Sequence, residues 1–459
     1  MKQPVSQGFE VAARPQKALP SGALLASAAE HLALADLRSR QGRLDEAVRA
    51  YRACLAEKPQ DRAAWSGLAL ALQRLGNRCG AIEAWQSLLA LDPGSWYAEN
   101  DLGALFMEAG QWDCAEACFA RAAAVNPAAP IVLLNRAMLA ARRGDRAHSI
   151  LQLEACVQAN PSYAAGHAGL GFALRDQGRF EAAAVALEAA CALAPDDATY
   201  ACGLGRVYLE AGAAERASEQ AKAFLSRRPG HSGALALEAL ARIALADTRA
   251  VAQLLDYSGL VFTEHLSPPD AFADLRAFNA ALAAHVAEHP TLLSAPASHA
   301  TTQGLHSGSL LVEPRGPVAF LEQAISGLVA SYARGLSSLA DHPLSAQRPS
   351  AVFLKMWGVV LQRGGHQIPH VHPAAWLSGV YYPKLPHAIQ SGDGPAGWLE
   401  FGRPDREFPS RLPTSERPVY RVRPEEGLIV LFPSYFYHRT IPFDAEGTRV
   451  SVAFDVVPL

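Results

Sequence analysis

The sequence predicts a multidomain protein in which an all-α superhelix of repeated helix pairs is followed by a β-rich domain with supporting helices. Three observations predict this fold class. Glycine and proline recur at a fixed interval through the first half, short β-forming runs fill the chain from about residue 350, and three histidines lie among those runs. A chain of 459 residues exceeds one ordinary hydrophobic core, so two or three domains are expected.

The fixed interval in the first half is 34 residues. It is kept by six glycines and six prolines: Gly42, Gly76, Gly110, Gly144, Gly178 and Gly212, and Pro59, Pro93, Pro127, Pro161, Pro195 and Pro229. The glycine is expected to end one helix and the proline the next. A helix–turn–helix unit of this length resembles the tetratricopeptide repeat. The resemblance covers about 25–230 and is poorest near 130–161, where Arg136 replaces an expected Leu.

Each helix pair exposes an apolar face that stacking must bury, which gives a superhelix with a concave surface. The resemblance implies a surface that binds a protein or peptide, and the alternative is a scaffold or a homodimer arm. The segment SGALALEALARIALAD after Pro229 is expected to cap the array. We therefore divide the first half into a flexible N-terminus over 1–22 and a repeat array with its capping helix over 23–247.

The remainder, 248–459, is expected to form one domain with its core at 350–459. Helical periodicity occurs in 272–290 and 317–338. Seven short β-rich runs follow: AVFLKMWGVVL, WLSGVYYP, GWLEFG, VYRVRP, GLIVLFP, YHRTIPF and RVSVAFDVV. Such a series predicts a β-sandwich or jelly roll rather than a parallel sheet.

The segment HQIPHVHP carries the strongest chemical signal. His370 and His372 are two residues apart in a segment that runs into WLSGVYY, and in a strand such residues point to one face. With the distant His438 they could bind a metal ion. Ten residues separate His438 from Arg449, which opens the last β-run.

Four segments together, QIPHVHPAAWLSGVYYPKLP, GWLEFGRP, EGLIVLFPSYFYHRTIPF and GTRVSVAFDV, resemble a 2-oxoglutarate/Fe(II)-dependent oxygenase family related to prolyl hydroxylases. The resemblance implies a double-stranded β-helix, Fe(II), 2-oxoglutarate as cosubstrate and O2. It also implies a first metal ligand at His370 and a distal one at His438. The far carboxylate of 2-oxoglutarate is then expected to contact Arg449, Tyr381 and Ser451.

This chain departs from the family pattern in one place, because His372 occupies the position where these folds usually carry a carboxylate. Three interpretations stay open. His372 is a third neutral ligand, or it points aside and leaves two histidines plus water, or a carboxylate such as Glu400 or Asp393 completes the site. A structural zinc is disfavoured because Cys202 is the last cysteine and Arg449 has no role in such a site.

Composition narrows the function classes. The net charge is −3 without a basic tail, so neither nucleic acid nor a membrane is an expected partner. The seven cysteines lack a CxxC pair and suit a reducing, cytoplasmic location. The expected function is a dioxygenase that hydroxylates a protein or peptide recruited by the repeats. The alternatives are a small-molecule oxygenase and a non-catalytic scaffold.

Overall fold

The computed structural model describes residues 27–294, 300–336, 342–346 and 348–459, so the predicted flexible N-terminus over 1–22 lies outside the described residues. The described chain divides into two compact units that meet at Ala194 and Pro195. Each unit is considered by itself.

The first unit consists of helix pairs. Its helices are α1 Ala28–Arg40, α2 Leu44–Glu57, α3 Arg62–Arg74, α4 Arg78–Leu91, α5 Trp96–Glu108, α6 Trp112–Val125, α7 Pro130–Arg142, α8 Arg146–Ala159, α9 Ala164–Arg175 and α10 Phe180–Leu193. The periodic glycines follow the first helix of each pair with φ between 72° and 86°. This left-handed backbone favours glycine, which explains its fixed recurrence. The predicted repeat array is confirmed, including the weakly matching pair α7–α8.

The second unit opens with one more pair and the predicted capping helix. Its helices are α11 Ala198–Glu210, α12 Ala214–Arg227, α13 Ser232–Ala244, α14 Thr248–Leu254, α15 Tyr257–Leu260, α16 Leu275–Ala287, α17 Val318–Gly335, α18 Pro343–Ala346 and α19 His387–Ser391. The two helices predicted from periodicity correspond to α16 and α17. Among the helices of the described residues, none has both the length and the apolar character needed to cross a lipid bilayer.

Ten antiparallel strands form a curled half-barrel, consistent with a double-stranded β-helix. They are β1 Phe262–His265, β2 Leu293–Ser294, β3 Thr301–Ser309, β4 Val352–His370, β5 Leu377–Lys384, β6 Leu399–Phe401, β7 Tyr420–Val422, β8 Leu428–Pro433, β9 His438–Thr440 and β10 Arg449–Pro458. The main order is β1-β8-β5-β10-β4-β9-β6-β7, and β3 pairs with β2 and β4. The seven predicted strands are confirmed, whereas β1, β2 and β3 were not predicted.

The register brings the candidate site residues to neighbouring strands. His370, the last residue of β4, pairs with His438, the first residue of β9. Strand β10 lies between β4 and β5, with Arg449 opposite Leu361 and Asp455 opposite Ser378. One pocket in the curled sheet can therefore receive side chains from β4, β5, β9 and β10.

Helix α13 is buried on nearly all sides. Eleven of its thirteen residues are buried, which is the pattern of a helix enclosed by other elements rather than a surface helix. Leu235, Ala239 and Ile243 pack in the same apolar cluster as residues of the sheet. The loop between β6 and β7 also binds this helix, since Ser410 donates to the carbonyl of Ile243 at 3.0 Å.

These contacts predict which C-terminal fragment of the chain folds by itself. We expect a fragment of residues 195–459 to unfold cooperatively, whereas a fragment of 248–459 aggregates or lacks a sharp transition. The shorter fragment loses α13, and each buried Leu or Ile contributes about 1.5–3 kcal/mol against a typical total of about 5–15 kcal/mol. Thermal denaturation followed by near-UV circular dichroism tests this. Equal cooperativity of both fragments would contradict it.

Candidate metal centre

Three histidines converge inside the curled sheet. One ring nitrogen each of His370, His372 and His438 lies within 4.8 Å of the others, which is close enough to share one metal ion. The ring centres of His370 and His438 are 4.2 Å apart, as expected for a cross-strand pair. The ring of His372 is 5.0 Å from His370 and 5.2 Å from His438.

His372 reaches this cluster by a different route from the one predicted. His370 ends β4, but His372 lies in the turn before β5, so the two histidines do not share one strand. The turn is fixed by its backbone instead. The amide of His372 donates to the carbonyl of Ser434 at 3.1 Å, and the amide of Ala375 donates to the carbonyl of His372 at 3.1 Å.

Each of the three rings has an acceptor at Nδ1. The partners are the carbonyl of Ile368 for His370 at 2.8 Å, the carboxylate of Asp455 for His372 at 2.9 Å, and the carbonyl of Phe436 for His438 at 2.9 Å. Because all three partners accept, Nδ1 of each ring must carry the hydrogen. This tautomer leaves Nε2 of every ring available to a metal ion.

Asp455 is the carboxylate behind His372. Its Oδ2 accepts from the imidazole, and its Oδ1 accepts from the Ser378 hydroxyl at 2.7 Å. Ser378 in turn shares a hydrogen bond of 2.8 Å with Ser434. The carboxylate therefore fixes both the orientation and the tautomer of the His372 ring.

Burial keeps two of the imidazoles neutral. It lowers the pKa of His370 to about 4, with a smaller contribution from the neighbouring His372. Burial also holds the pKa of His438 well below its usual value, again with repulsion from the other two rings. Neutral imidazole is the form that binds metals, so protons compete little with a metal ion near pH 7.

A buried cation lies in the same pocket. Arg449 is 1% exposed, and no carboxylate of the described residues lies within ion-pair distance of it. Its Nη1 donates to the hydroxyl of the buried Ser451 at 3.2 Å, while its Nε has no hydrogen-bond partner among the described residues. Burial lowers the pKa of this guanidinium, which indicates an environment that would favour a bound anion.

The tyrosine beside this cation is Tyr382 rather than the predicted Tyr381. Tyr381 points to the other face of β5, where its hydroxyl donates to Asn279. The ring of Tyr382 lies 5.1 Å from the guanidinium carbon of Arg449, and its buried hydroxyl has no partner in the described part of the chain. Successive strand residues face opposite sides, so Tyr382 and not Tyr381 lies beside Arg449.

The two alternative carboxylates lie elsewhere. Glu400 is 1% exposed, but its carboxylate is bound by Arg403, Arg421 and Arg439 at 2.7–3.0 Å. Asp393 is exposed in the loop after α19. Among the described residues, the cluster able to hold a metal consists of the three histidines.

The pocket around these groups is lined mostly by apolar side chains. Its walls include Val380, Leu399, Phe432 and Phe454. Trp357, also in the lining, stacks on the ring of His372 with centres 5.8 Å apart and planes at 21°. An apolar cavity that contains three free imidazole nitrogens and one unpaired cation suits a small anionic metal chelator.

Sequence reasoning missed Asp455, although a signal for it exists. Arg449, Ser451 and Asp455 are separated by two and four residues along β10, so they share one face of the strand. A polar series of this kind inside an otherwise apolar run is unusual for a buried strand. The first residue of this series, Arg449, is the buried cation of the pocket, and the last, Asp455, binds His372.

Comparisons with known proteins agree with this geometry. Residues 355–455 match the family described as "Putative 2OG-Fe(II) oxygenase". Residues 32–95, 100–164 and 171–212 match tetratricopeptide-repeat families. The chain thus carries tetratricopeptide repeats in its N-terminal part, and residues 355–455 match the family described as putative 2OG-Fe(II) oxygenase.

Individual relatives match over part of the chain. The tetratricopeptide repeat and J domain-containing co-chaperone DNJ1 of Fusarium oxysporum f. sp. lycopersici is 33% identical over 139 residues, which are 30% of this chain and 25% of that protein. The chain therefore spans a quarter of the length of this relative.

Two solved structures are also similar. Cut9–Hcn1 of the APC/C has 23% identity and a TM-score of 0.41, and the match covers 47% of this chain and 43% of that one. A tetratricopeptide repeat protein from Parabacteroides merdae has 21% identity and a TM-score of 0.40, with 47% and 84% covered.

The contact between Asp455 and His372 generates a prediction. We expect Asp455→Asn to weaken divalent-metal binding by about 10- to 100-fold, because an amide removes the charge that orients the His372 ring. Isothermal titration of the metal-free chain measures this. Asp444→Asn, which changes an exposed carboxylate paired with Arg363, is the matched control. Equal affinities in both variants would contradict the role of Asp455.

Proposed function

We propose that this protein is a 2-oxoglutarate- and Fe(II)-dependent dioxygenase that hydroxylates a protein or peptide bound by its repeat array. The observation that carries the proposal is the pairing of three imidazoles, each with Nδ1 occupied and Nε2 available, with one buried unpaired guanidinium in a single cavity. A chelating dicarboxylate complements both features at once.

The metal ligands in this proposal are His370, His372 and His438. Three neutral ligands leave a divalent ion with one more positive charge than a two-histidine, one-carboxylate set does. The Asp455 carboxylate offsets part of that charge from behind His372, to which it is joined by a hydrogen bond of 2.9 Å. The site retains a carboxylate close to the metal, with an imidazole placed between them.

The anchor for the cosubstrate is Arg449. A planar guanidinium binds a carboxylate through two parallel hydrogen bonds, and here its Nε is free to donate. The hydroxyl of Tyr382 is free to donate to the same oxygens. Ser451 holds the guanidinium from behind and therefore acts on the cosubstrate through Arg449.

The residues present fit Fe(II), because three imidazole nitrogens suit a first-row divalent ion and leave open positions for exchangeable ligands. The chemistry that Fe(II) supplies in such a site is activation of O2 coupled to decarboxylation of the 2-oxo acid to succinate and CO2. The protein contributes binding and orientation. The three rings would hold the ion, Arg449 would fix the far end of the cosubstrate, and Phe432 and Leu399 line the pocket beside them.

The repeat array supports a protein or peptide substrate. Successive repeats of the first unit place Leu70, Ala104, Met138 and Phe172 at one repeat position, 34 residues apart. Leu70 and Met138 are 45% and 41% exposed, which is high for large apolar side chains. Such a series gives an extended chain several apolar contacts at regular spacing.

Two other functions remain in view. In a small-molecule oxygenase, the array would serve only for docking or self-association. Succinate release stimulated by protein extracts or peptides, but not by small acids, favours the protein substrate over this alternative. In a non-catalytic scaffold, 2-oxoglutarate would fail to bind the Fe(II)-loaded chain.

The first test concerns the metal. We expect His438→Ala to lose Fe(II) binding, because the remaining two imidazoles cannot hold a buried ion with useful affinity. Anaerobic titration with Fe(II) followed by metal analysis after desalting measures this. His387→Ala removes an exposed histidine of α19 and should bind like the unchanged protein. Full iron content in His438→Ala would refute the ligand assignment.

The second test concerns the cosubstrate. Anaerobic addition of 2-oxoglutarate to the Fe(II)-loaded protein should produce a weak visible charge-transfer band, a property of the chelate's own electronics. We expect Arg449→Ala to raise the 2-oxoglutarate concentration needed by tenfold or more, since a buried charge pair loses one partner. Arg363→Ala, at an exposed arginine, is the control. No band, or an unchanged requirement in Arg449→Ala, would contradict the proposal.

A further inference from the structure

We infer that the last helical repeat and its capping helix support the metal centre. Arg206 of α11 positions the backbone segment that carries His438, and Ser232 of α13 positions the segment that carries His372. This inference rests on the proposed function only in taking the three histidines as metal ligands. It gives the helices of the second unit a role in the metal centre, although these helices lie outside residues 355–455.

The first contact supports His438. Nη1 of Arg206 donates to the hydroxyl of Tyr437 at 3.0 Å, and Tyr437 directly precedes the histidine. The same guanidinium holds both oxygens of Asp405, at 2.9 Å and 3.1 Å. Asp405 lies in the loop after β6, and the amide of Gly402 in that loop donates to the carbonyl of Tyr437 at 2.9 Å. Arg206 therefore holds the side chain of Tyr437 directly. It also holds the Tyr437 backbone indirectly, through the loop that contains Gly402 and Asp405.

The second contact supports His372. The buried hydroxyl of Ser232 donates to the carbonyl of Ala375 at 2.5 Å, and Ala375 closes the turn that begins at His372. Gly233 faces Pro373, the residue after His372, and a side-chain carbon at Gly233 would lie 3.4 Å from the proline ring. The N-terminal end of α13 thus packs directly against the turn that aims His372 at the cluster.

The two supported segments are also joined to each other. The amide of His372 donates to the carbonyl of Ser434, four residues before His438. Between them, the hydroxyl of Tyr435 donates to the carbonyl of Leu254 at the end of α14. The ligand segments consequently have polar contacts to α11, α13 and α14, while His370 is held by the sheet itself.

Arg206 is a charged residue at a repeat position that is mostly apolar. It occupies the position 34 residues after Phe172, in the series that contains Leu70, Ala104 and Met138. The four members directly before it are uncharged, and the first member, Asp36, accepts a hydrogen bond from Tyr51. Arg206 is charged and partly buried, with 23% of its side chain exposed. A charge at an apolar repeat position is costly unless it is paired, and here Asp405 and Tyr437 supply the partners.

Neither Arg206 nor Ser232 contacts a histidine ring, so both are positioning residues. They act on the angle at which His438 and His372 present Nε2, and metal affinity responds steeply to such angles. The effect on metal binding should therefore exceed the effect on folding. A residue that only stabilises the fold would change the melting temperature and leave the affinity of the folded protein unchanged.

The test uses the full-length, metal-free chain titrated with Co(II), which reports both affinity and ligand geometry through its visible absorption. We expect Arg206→Ala and Ser232→Ala each to weaken Co(II) binding by about tenfold or more and to alter the band shape. Arg206→Lys should recover part of the affinity, because an ammonium can still donate to Tyr437 and pair with Asp405.

Two variants of the same repeat serve as controls. Arg216→Ala removes a donor to the hydroxyl of Tyr208, and Ser218→Ala removes a buried donor to Glu238. Both of these hydrogen bonds join helices of the second unit to each other. Melting temperatures of all the metal-free variants are measured in parallel. The inference is supported if affinity falls in the test variants and holds in the controls at similar melting temperatures.

Unchanged Co(II) affinity and spectrum in both test variants would overturn the inference, as would equal losses in the controls. Failure of the proposed function gives a different result. In that case the unchanged protein binds Co(II) and Arg206→Ala binds it more weakly. Addition of 2-oxoglutarate to the Fe(II)-loaded, unchanged protein then has no effect.

Discussion

The hydrogen bonds at Nδ1 of the three histidines are the constraint on which the site depends. Each ring is held by an acceptor on the protein, so its tautomer and direction are set before any metal arrives. Two acceptors are backbone carbonyls two residues earlier in the chain, which makes them inseparable from the local backbone. The third is the Asp455 side chain, which lies far away in sequence and ties the turn of His372 to β10.

The second constraint is the cost of burying Arg449 without a carboxylate partner. A lone buried guanidinium destabilises the protein unless an anion or several hydrogen bonds compensate it. Among the described residues, the Ser451 hydroxyl accepts a hydrogen bond from Arg449, and the Tyr382 ring covers one side of the guanidinium. A bound dicarboxylate would remove that cost, so in the proposed function the affinity and the specificity for an anionic cosubstrate would come from the same unpaired charge. Burial of an uncompensated cation is therefore best understood as preparation for a ligand.

The sequence predicted the repeat array and seven strands because both depend on local rules. Glycine at a left-handed turn and alternation along a strand are visible within a few residues. It did not predict β3, whose segment TTQGLHSGS is polar and broken by glycine, so its pairing with β4 comes from tertiary contacts. The three histidines and Arg449 were found through motif spacing. Tyr382 was missed because the sequence does not show which face of the strand a residue occupies. Asp455 and Ser232 were missed because their contacts join residues 83 and 143 positions apart, which leaves no local pattern.

The residues that the sequence did not predict also show how the helical repeats relate to the metal centre. A helical repeat is defined by its own periodicity, so sequence analysis assigns it to the array and ends the array at the capping helix. Packing follows buried area instead, and α13, buried on eleven of its thirteen residues, contributes to the core beneath the curled sheet. A helix held on one side by repeat packing and on the other by the ligand turn cannot move without moving His372. In the proposed arrangement, α11 and α13, which belong to the same unit as the sheet, would support the ligand segments directly through Arg206 and Ser232.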